Sequence, residues 1–187
     1  QWQGDDITAN PGSNKQACAA LDAFASDGAN KGVTDAWNQH YSVIKAANLI
    51  TESASKAPVA QDKIDVALGN AHFWRAYAYY YLVRVFGPVP LITGTDVSQL
   101  EVAPSSVKDV YELIVSDLKA AVNELPTKYE KEPSRLFGVD VWTTKQAAQA
   151  TLSAVYMSMA GYPLNMGTEY YKLAAEQAKS VIDNNGS

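Results

Sequence analysis

The stretch Gly69-Asn-Ala-His-Phe-Trp-Arg-Ala-Tyr-Ala-Tyr-Tyr-Tyr-Leu-Val-Arg-Val-Phe86, followed by Gly87-Pro-Val-Pro-Leu-Ile92, decides the fold class. It shows no strict alternation of apolar and polar residues, and its Ala, Leu and aromatic side chains occur nearly all round a helical wheel. A helix of that kind is expected to be central and covered by neighbours on most sides. Gly87 and Pro88 end it, because proline lacks the N–H a helix needs and clashes with the preceding turn. Two arginines, Arg75 and Arg84, fall inside it. A guanidinium in such surroundings needs a carboxylate or carbonyl oxygens to offset lost hydration. Asp117, one of the few acids on the apolar side of its own segment, is the expected partner of Arg75.

Working outward, Ala, Leu, Lys, Glu and Gln cluster in blocks separated by Pro, Gly and Asn. The spacing predicts helices over 14–27, 34–55, 61–86, 106–124, 144–160 and 169–184 and no strands. Thr34, Ser105 or Ser106, and Thr143 are the expected N-caps of the second, fourth and fifth helices, since their hydroxyls can accept from free first-turn N–H groups. Leu152 and Tyr156, then Tyr171, Ala174, Ala178 and Val181, fall at the large and small positions of a tetratricopeptide-like helix pair. The expected architecture is all-α: antiparallel helix hairpins stacked as a tetratricopeptide-like α-α superhelix. Segments 87–104 and 125–143, and the first 13 residues, are Pro-rich, Gly-rich or irregular and read as loops, where binding residues are most often found.

A chain of 187 residues with 47% hydrophobic content can bury a core and falls within the size of one domain. Twenty acids against 15 bases leave a net charge of −5 with no basic block, which argues against nucleic acid as a partner. The most apolar window, 73–92, is interrupted by Arg75, Arg84, Gly87, Pro88 and Pro90 and does not read as a membrane span. No basic and apolar leader precedes Gln1. The single cysteine, Cys18, excludes an internal disulfide; Asn14 to Ala17 before it lack the apolar residue of a lipidation site, so Cys18 reads as a helix-packing residue.

Catalytic signals are sparse. The two histidines, His40 and His72, lie in helices and are expected to make structural hydrogen bonds, and no H-E-x-x-H, C-x-x-C, G-x-G-x-x-G or phosphate loop occurs. No catalytic residue, metal site or cofactor is expected. Asp109 and Glu112 are spaced like a carboxylate pair, but they sit in the first turns of a helix, where acids meet the positive end of its dipole. Trp2 with Asp5 and Asp6 makes a ligand-binding candidate: an indole stacks on the apolar face of a sugar ring while carboxylates accept its hydroxyl hydrogens. The competing reading is a surface loop with two solvated acids. Trp142, in the loop before the fifth helix, is the other candidate, either as a platform for ligand or as a plug of the loop against the core. Trp37 and Trp74 are assigned to packing.

Gly69 to Ile92 resembles the most recognisable stretch of the SusD/RagB family of outer-membrane nutrient-binding lipoproteins. The similarity extends to Trp37, Tyr41, Ile44, Ala47, Asn48 and Ile50, and to Val110-Tyr111, Ile114, Asp117-Leu118, Ala121 and Leu125-Pro126. It continues through Lys145, Ala147-Ala148, Leu152 and Tyr156, then Ala160-Gly-Tyr-Pro-Leu-Asn165 and Tyr170-Tyr171 to Ile182. Asn70 and His72 depart from the family, which more often has Glu and Arg there. Family members are much longer, so residues 1–187 read as the N-terminal helical portion of a larger protein. The resemblance implies a non-catalytic, surface-exposed lipoprotein of the outer membrane, held by a lipid anchor not present in this chain. It implies capture of glycans for a TonB-dependent, SusC-like transporter, which the repeat-like helices contact. A helical-repeat adaptor that binds protein, without a carbohydrate role, is the alternative, and an all-helical glycoside hydrolase a third.

Overall fold

The computed structural model describes residues 12, 16–96, 101–129 and 142–184. Among these residues six α-helices follow one another: α1 Gln16–Asp22, α2 Lys31–Ser53, α3 Gln61–Phe86, α4 Val107–Glu124, α5 Lys145–Ala160 and α6 Thr168–Asp183. Among the described residues the only extended pairing is a single antiparallel bridge between Val89 and Ser105. The all-α expectation therefore holds. The chain divides into two compact units after Ser42, inside α2.

In the first unit α1 buries no residue. Its neighbour Asn30 joins the two helices: its amide nitrogen donates to the Ala17 carbonyl at 3.0 Å and its oxygen accepts from the Gly32 N–H at 2.8 Å. Asn30, not Thr34, thus satisfies an orphan first-turn donor of α2. Thr34 lies inside the helix, its hydroxyl bonding back to the Asn30 and Lys31 carbonyls. Cys18 is half-buried in α1 with a free thiol, and Trp37 packs on Tyr41 with ring centroids 4.9 Å apart.

In the second unit α3 packs on α4, α4 on α5 and α5 on α6. The helices pair antiparallel. Gly69, early in α3, meets the end of α4 so closely that a Cβ there would lie 2.8 Å from Leu125 Cγ and 3.1 Å from Glu124 Cβ. In the second hairpin the side chain of Gln146, at the start of α5, donates to the Asn184 carbonyl just past α6, and Ser153 donates to the Ala174 carbonyl at mid-length. The core is built of Ile44, Tyr79, Leu82, Val110, Ile114, Leu118, Leu152, Val155 and Met159, all essentially inaccessible.

Local chemistry sets the helix ends. Ser106 caps α4 by accepting from the Asp109 N–H at 3.1 Å, and Thr144 caps α5 by accepting from Ala147 N–H at 3.4 Å. The α5 cap is one residue later than Thr143. Gly87 stops α3 at φ +73°, where a Cβ is strained, and its N–H still bonds to Val83 O. Tyr171 also departs from its expected packing position and is exposed. Tyr170, about 100° away on the wheel, packs edge-on to Tyr156 at 5.9 Å instead.

The larger correction concerns α3. Its Ala71, Ala76, Tyr79, Leu82 and Val83 side is buried, but Trp74, Tyr77, Tyr81, Arg84 and Val85 are exposed among the described residues. The helix is covered on one side and open on another. Arg84 therefore needs no buried carboxylate; its guanidinium lies 4.9 Å from the Tyr80 ring centroid while remaining in solvent.

Candidate functional site

Trp142 is the one ligand-binding candidate within the described residues; Trp2, Asp5 and Asp6 lie outside them. Two facts position it. The Lys145 N–H bonds to Pro126 O at 2.9 Å, closing the α4–α5 connection at its base, and the Tyr129 hydroxyl donates to Thr143 O at 2.8 Å. Tyr129 and Trp142 are thereby drawn together, with centroids 5.9 Å apart and planes 41° apart. Trp142 remains 43% exposed. The geometry is that of an aromatic pair buttressed by the base of a loop, with indole surface still open to water. Such a surface offers an apolar face to the C–H side of a sugar ring at small cost in side-chain entropy.

The other carboxylate candidates are occupied by helix-end chemistry. Asp109 accepts a hydrogen bond from the Ser106 hydroxyl at 2.6 Å, and Glu112 pairs with Lys108 at 3.6 Å. His40 Nδ1 contacts Ala36 O at 2.6 Å, and His72 Nδ1 contacts Glu124 at 2.7 Å, joining α3 to α4. No cluster of three metal-ligating side chains occurs among the described residues.

A buried polar network holds the segment after α3, and it was only partly foreseen. Arg75 Nε and Nη2 donate to the two Asp117 oxygens at 2.7 Å each, and Nη1 donates to Asn48 Oδ1 at 2.8 Å. Burial lowers the guanidinium pKa, but the bonds and charge of Asp117 outweigh it and the net shift is upward. Asn48 donates onward to Ile92 O at 2.9 Å and Gly94 O at 3.1 Å. The Tyr79 hydroxyl accepts from Ile92 N–H at 2.7 Å, and burial pushes its pKa up to about 12. Glu52 accepts from Thr95 N–H at 2.8 Å and from its hydroxyl, which hold the carboxyl below its ordinary range. Asn48 and Glu52 were missed as anchors. Their one signal is a polar residue beside the buried Ile44 and Ala47 of α2, or one turn further on.

Residues 5–157 match a family described as starch-binding and associating with the outer membrane. A SusD-like protein of Formosa agariphila is 31% identical over 161 residues, 84% of this chain but 28% of its own length. A SusD superfamily structure from Parabacteroides distasonis superposes with a TM-score of 0.78 at 27% identity, over 90% of this chain and 35% of that one. A structure solved with xylogluco-oligosaccharide matches at TM-score 0.72 and 28% identity, over 87% of this chain and 32% of that one. This chain thus spans about a third or less of the length of these relatives.

Proposed function

This chain belongs to the SusD-like family, and we propose that it is the N-terminal helical portion of a non-catalytic protein that captures glycans at the outer-membrane surface. The observation that carries the proposal is the match across residues 5–157, which takes in α1 to α4 and most of α5. The oligosaccharide in a structure of the same fold supports a glycan as the ligand class. Trp142, paired with Tyr129 and half open to solvent, supplies a stacking surface of the right chemistry, and Trp2 with Asp5 and Asp6 is the second candidate contact. A lipid anchor is the means of attachment to the membrane in this reading; no described helix is long and apolar enough to cross one. The captured ligand passes to a SusC-like TonB-dependent transporter, which the repeat-like helices α5 and α6 contact.

Affinity electrophoresis on starch, xyloglucan and a panel of other glycans tests capture, run with Trp142→Ala and Trp2→Ala beside the unaltered chain. Retardation on one polymer, lost with a Trp variant and without release of reducing sugar, is the expected result. Glycan cleavage would replace capture by catalysis. Absence of retardation by both this chain and the longer protein would remove the glycan reading.

A further inference from the structure

The connection between α1 and α2 carries a side chain that neither Trp142 nor the segment of Trp2 accounts for. Helix α1 closes on three backbone bonds: Ala23 N–H to Ala19 O at 3.0 Å, Phe24 N–H to Leu21 O at 3.2 Å and Ala25 N–H to Ala20 O at 2.8 Å. The last two, one nested inside the other, are the bonds of a Schellman ending, which turns the residue just past the helix into the left-handed region. Phe24 takes that conformation, at φ 53°. Glycine accepts it without a Cβ penalty, as Gly87 does at the end of α3. Among the described residues the other non-glycine at positive φ is Asn165, whose amide tolerates the region and bonds to Pro163 O at 3.2 Å. A phenyl ring can make no such bond. Burial does not offset the strain either, because Phe24 is 74% exposed.

Exposure alone would carry little, since apolar residues scattered singly over a surface are ordinary. Exposure and backbone strain at the same bulky residue oppose stability twice, and such outliers cluster at ligand clamps and switch regions. The surroundings of the ring point to its ligand. Ala23, Ala25, Ser26, Gly28 and Ala29 are small and exposed, so the loop itself sets no bulky side chain beside the phenyl face. Asp27 is exposed too, with one carboxylate oxygen accepting from the Ala29 N–H at 3.0 Å. An apolar ring face with a carboxylate three residues on and a hydroxyl between them, on Ser26, matches the two-sided chemistry of a sugar, C–H on its faces and hydroxyls round its edge. We propose that Phe24 is a glycan contact: its ring stacks on the C–H face of a sugar unit while Asp27 accepts from a hydroxyl of the same or the next unit. The inference rests on the reading of this protein as a glycan binder and adds to it a contact on the α1–α2 connection.

The test exploits the strain, because glycine at this position should help the fold while removing the ring. Phe24→Gly, Phe24→Ala and Phe24→Trp are made in the longer native protein and run by affinity electrophoresis on starch and xyloglucan, with hydrogen exchange of the α1 amides read beside each. Phe24→Gly is expected to slow exchange in α1 by about three- to tenfold, as the helix end is relieved. On the polymer that retards the unaltered protein it should weaken retention by roughly three- to tenfold, Phe24→Ala should weaken it likewise, and Phe24→Trp should preserve it. Retention unchanged by Phe24→Gly and Phe24→Ala would overturn the proposal and leave glycan capture standing. Faster exchange in α1 with Phe24→Gly would overturn it as well, since the ring would then be packing the fold. Loss of self-association in place of retention would assign the ring to a second copy. Failure of the unaltered longer protein to be retarded by either polymer or by the wider glycan panel would remove the capture reading and this contact with it, an outcome distinct from retention that ignores Phe24.

Discussion

Arg75 bears a charge that water stabilises and burial strips of that water, so its neighbours must replace the lost hydration. They do so with a two-pronged contact from Asp117 and a third bond from Asn48. Breaking one side of such a pair leaves an uncompensated buried charge, so Asp117→Ala should lose roughly 3 to 5 kcal/mol of unfolding free energy in urea titration. The double variant Arg75→Met with Asp117→Leu should recover much of it, and strictly additive losses would contradict the coupling. Tyr79 makes a second prediction. An unfolded phenol ionises near pH 10 and the folded one near 12, so above pH 10 the unfolded chain holds fewer protons and stability falls as pH rises. The stability advantage over Tyr79→Phe should shrink by roughly 2 to 3 kcal/mol between pH 10 and 12, read from denaturation at each pH. The Arg75–Asp117 pair was legible in the sequence because an acid on an apolar helix stripe has few acceptable surroundings. Asn48 was not, since an amide at one end of a buried stripe reads the same whether it faces solvent or two carbonyls from a loop 44 residues away.

At the scale of elements, the hairpins depend on close approach as much as on apolar pattern. Gly69 lets α3 meet the end of α4 where a Cβ would come within 2.8 Å of Leu125 Cγ, an atom near the backbone and slow to yield. Alanine is the better helix former by about 0.5 to 1 kcal/mol, but overpacking costs about 1 to 3. Gly69→Ala should therefore be destabilising by roughly 1 to 2 kcal/mol net, seen as a lowered Tm; a raised Tm would mean that the helices separate without cost. The end of α3 was readable from Gly87 and Pro88, and five of the six helix spans lie within three residues of the expected ones at either end. The first helix, expected to 27, stops at Asp22, where Phe24 turns left-handed at φ 53°. The caps shifted by one residue at α5 and by four at α2, because several neighbouring Thr, Ser and Asn side chains compete for the same free N–H groups. Tyr170 and Tyr171 show the same ambiguity: adjacent tyrosines differ by a third of a turn, and only the partner helix selects which one is buried.

The whole molecule is unevenly stabilised. The unit up to Ser42 contains a seven-residue helix that buries nothing, whereas α3, α4 and α5 share a continuous core. Amides of α1 should exchange with solvent at least about a hundredfold faster than those at the centres of α3 and α4, as hydrogen exchange would show. Equal protection would mean that the chain opens as one cooperative unit. Composition, helix periodicity and the run from Gly69 to Ile92 determined the helical class, the order of the elements and the family, because each follows from local preference and the spacing of apolar residues along the chain. Which side of α3 is buried could not be read there: a helix apolar all round contains no preferred face, and its exposure follows from which other elements are present to cover it. The pairing of Trp142 with Tyr129, and the hold of Asn48 on the segment after α3, were likewise decided only by tertiary structure, since both join residues that pattern and propensity treat as independent.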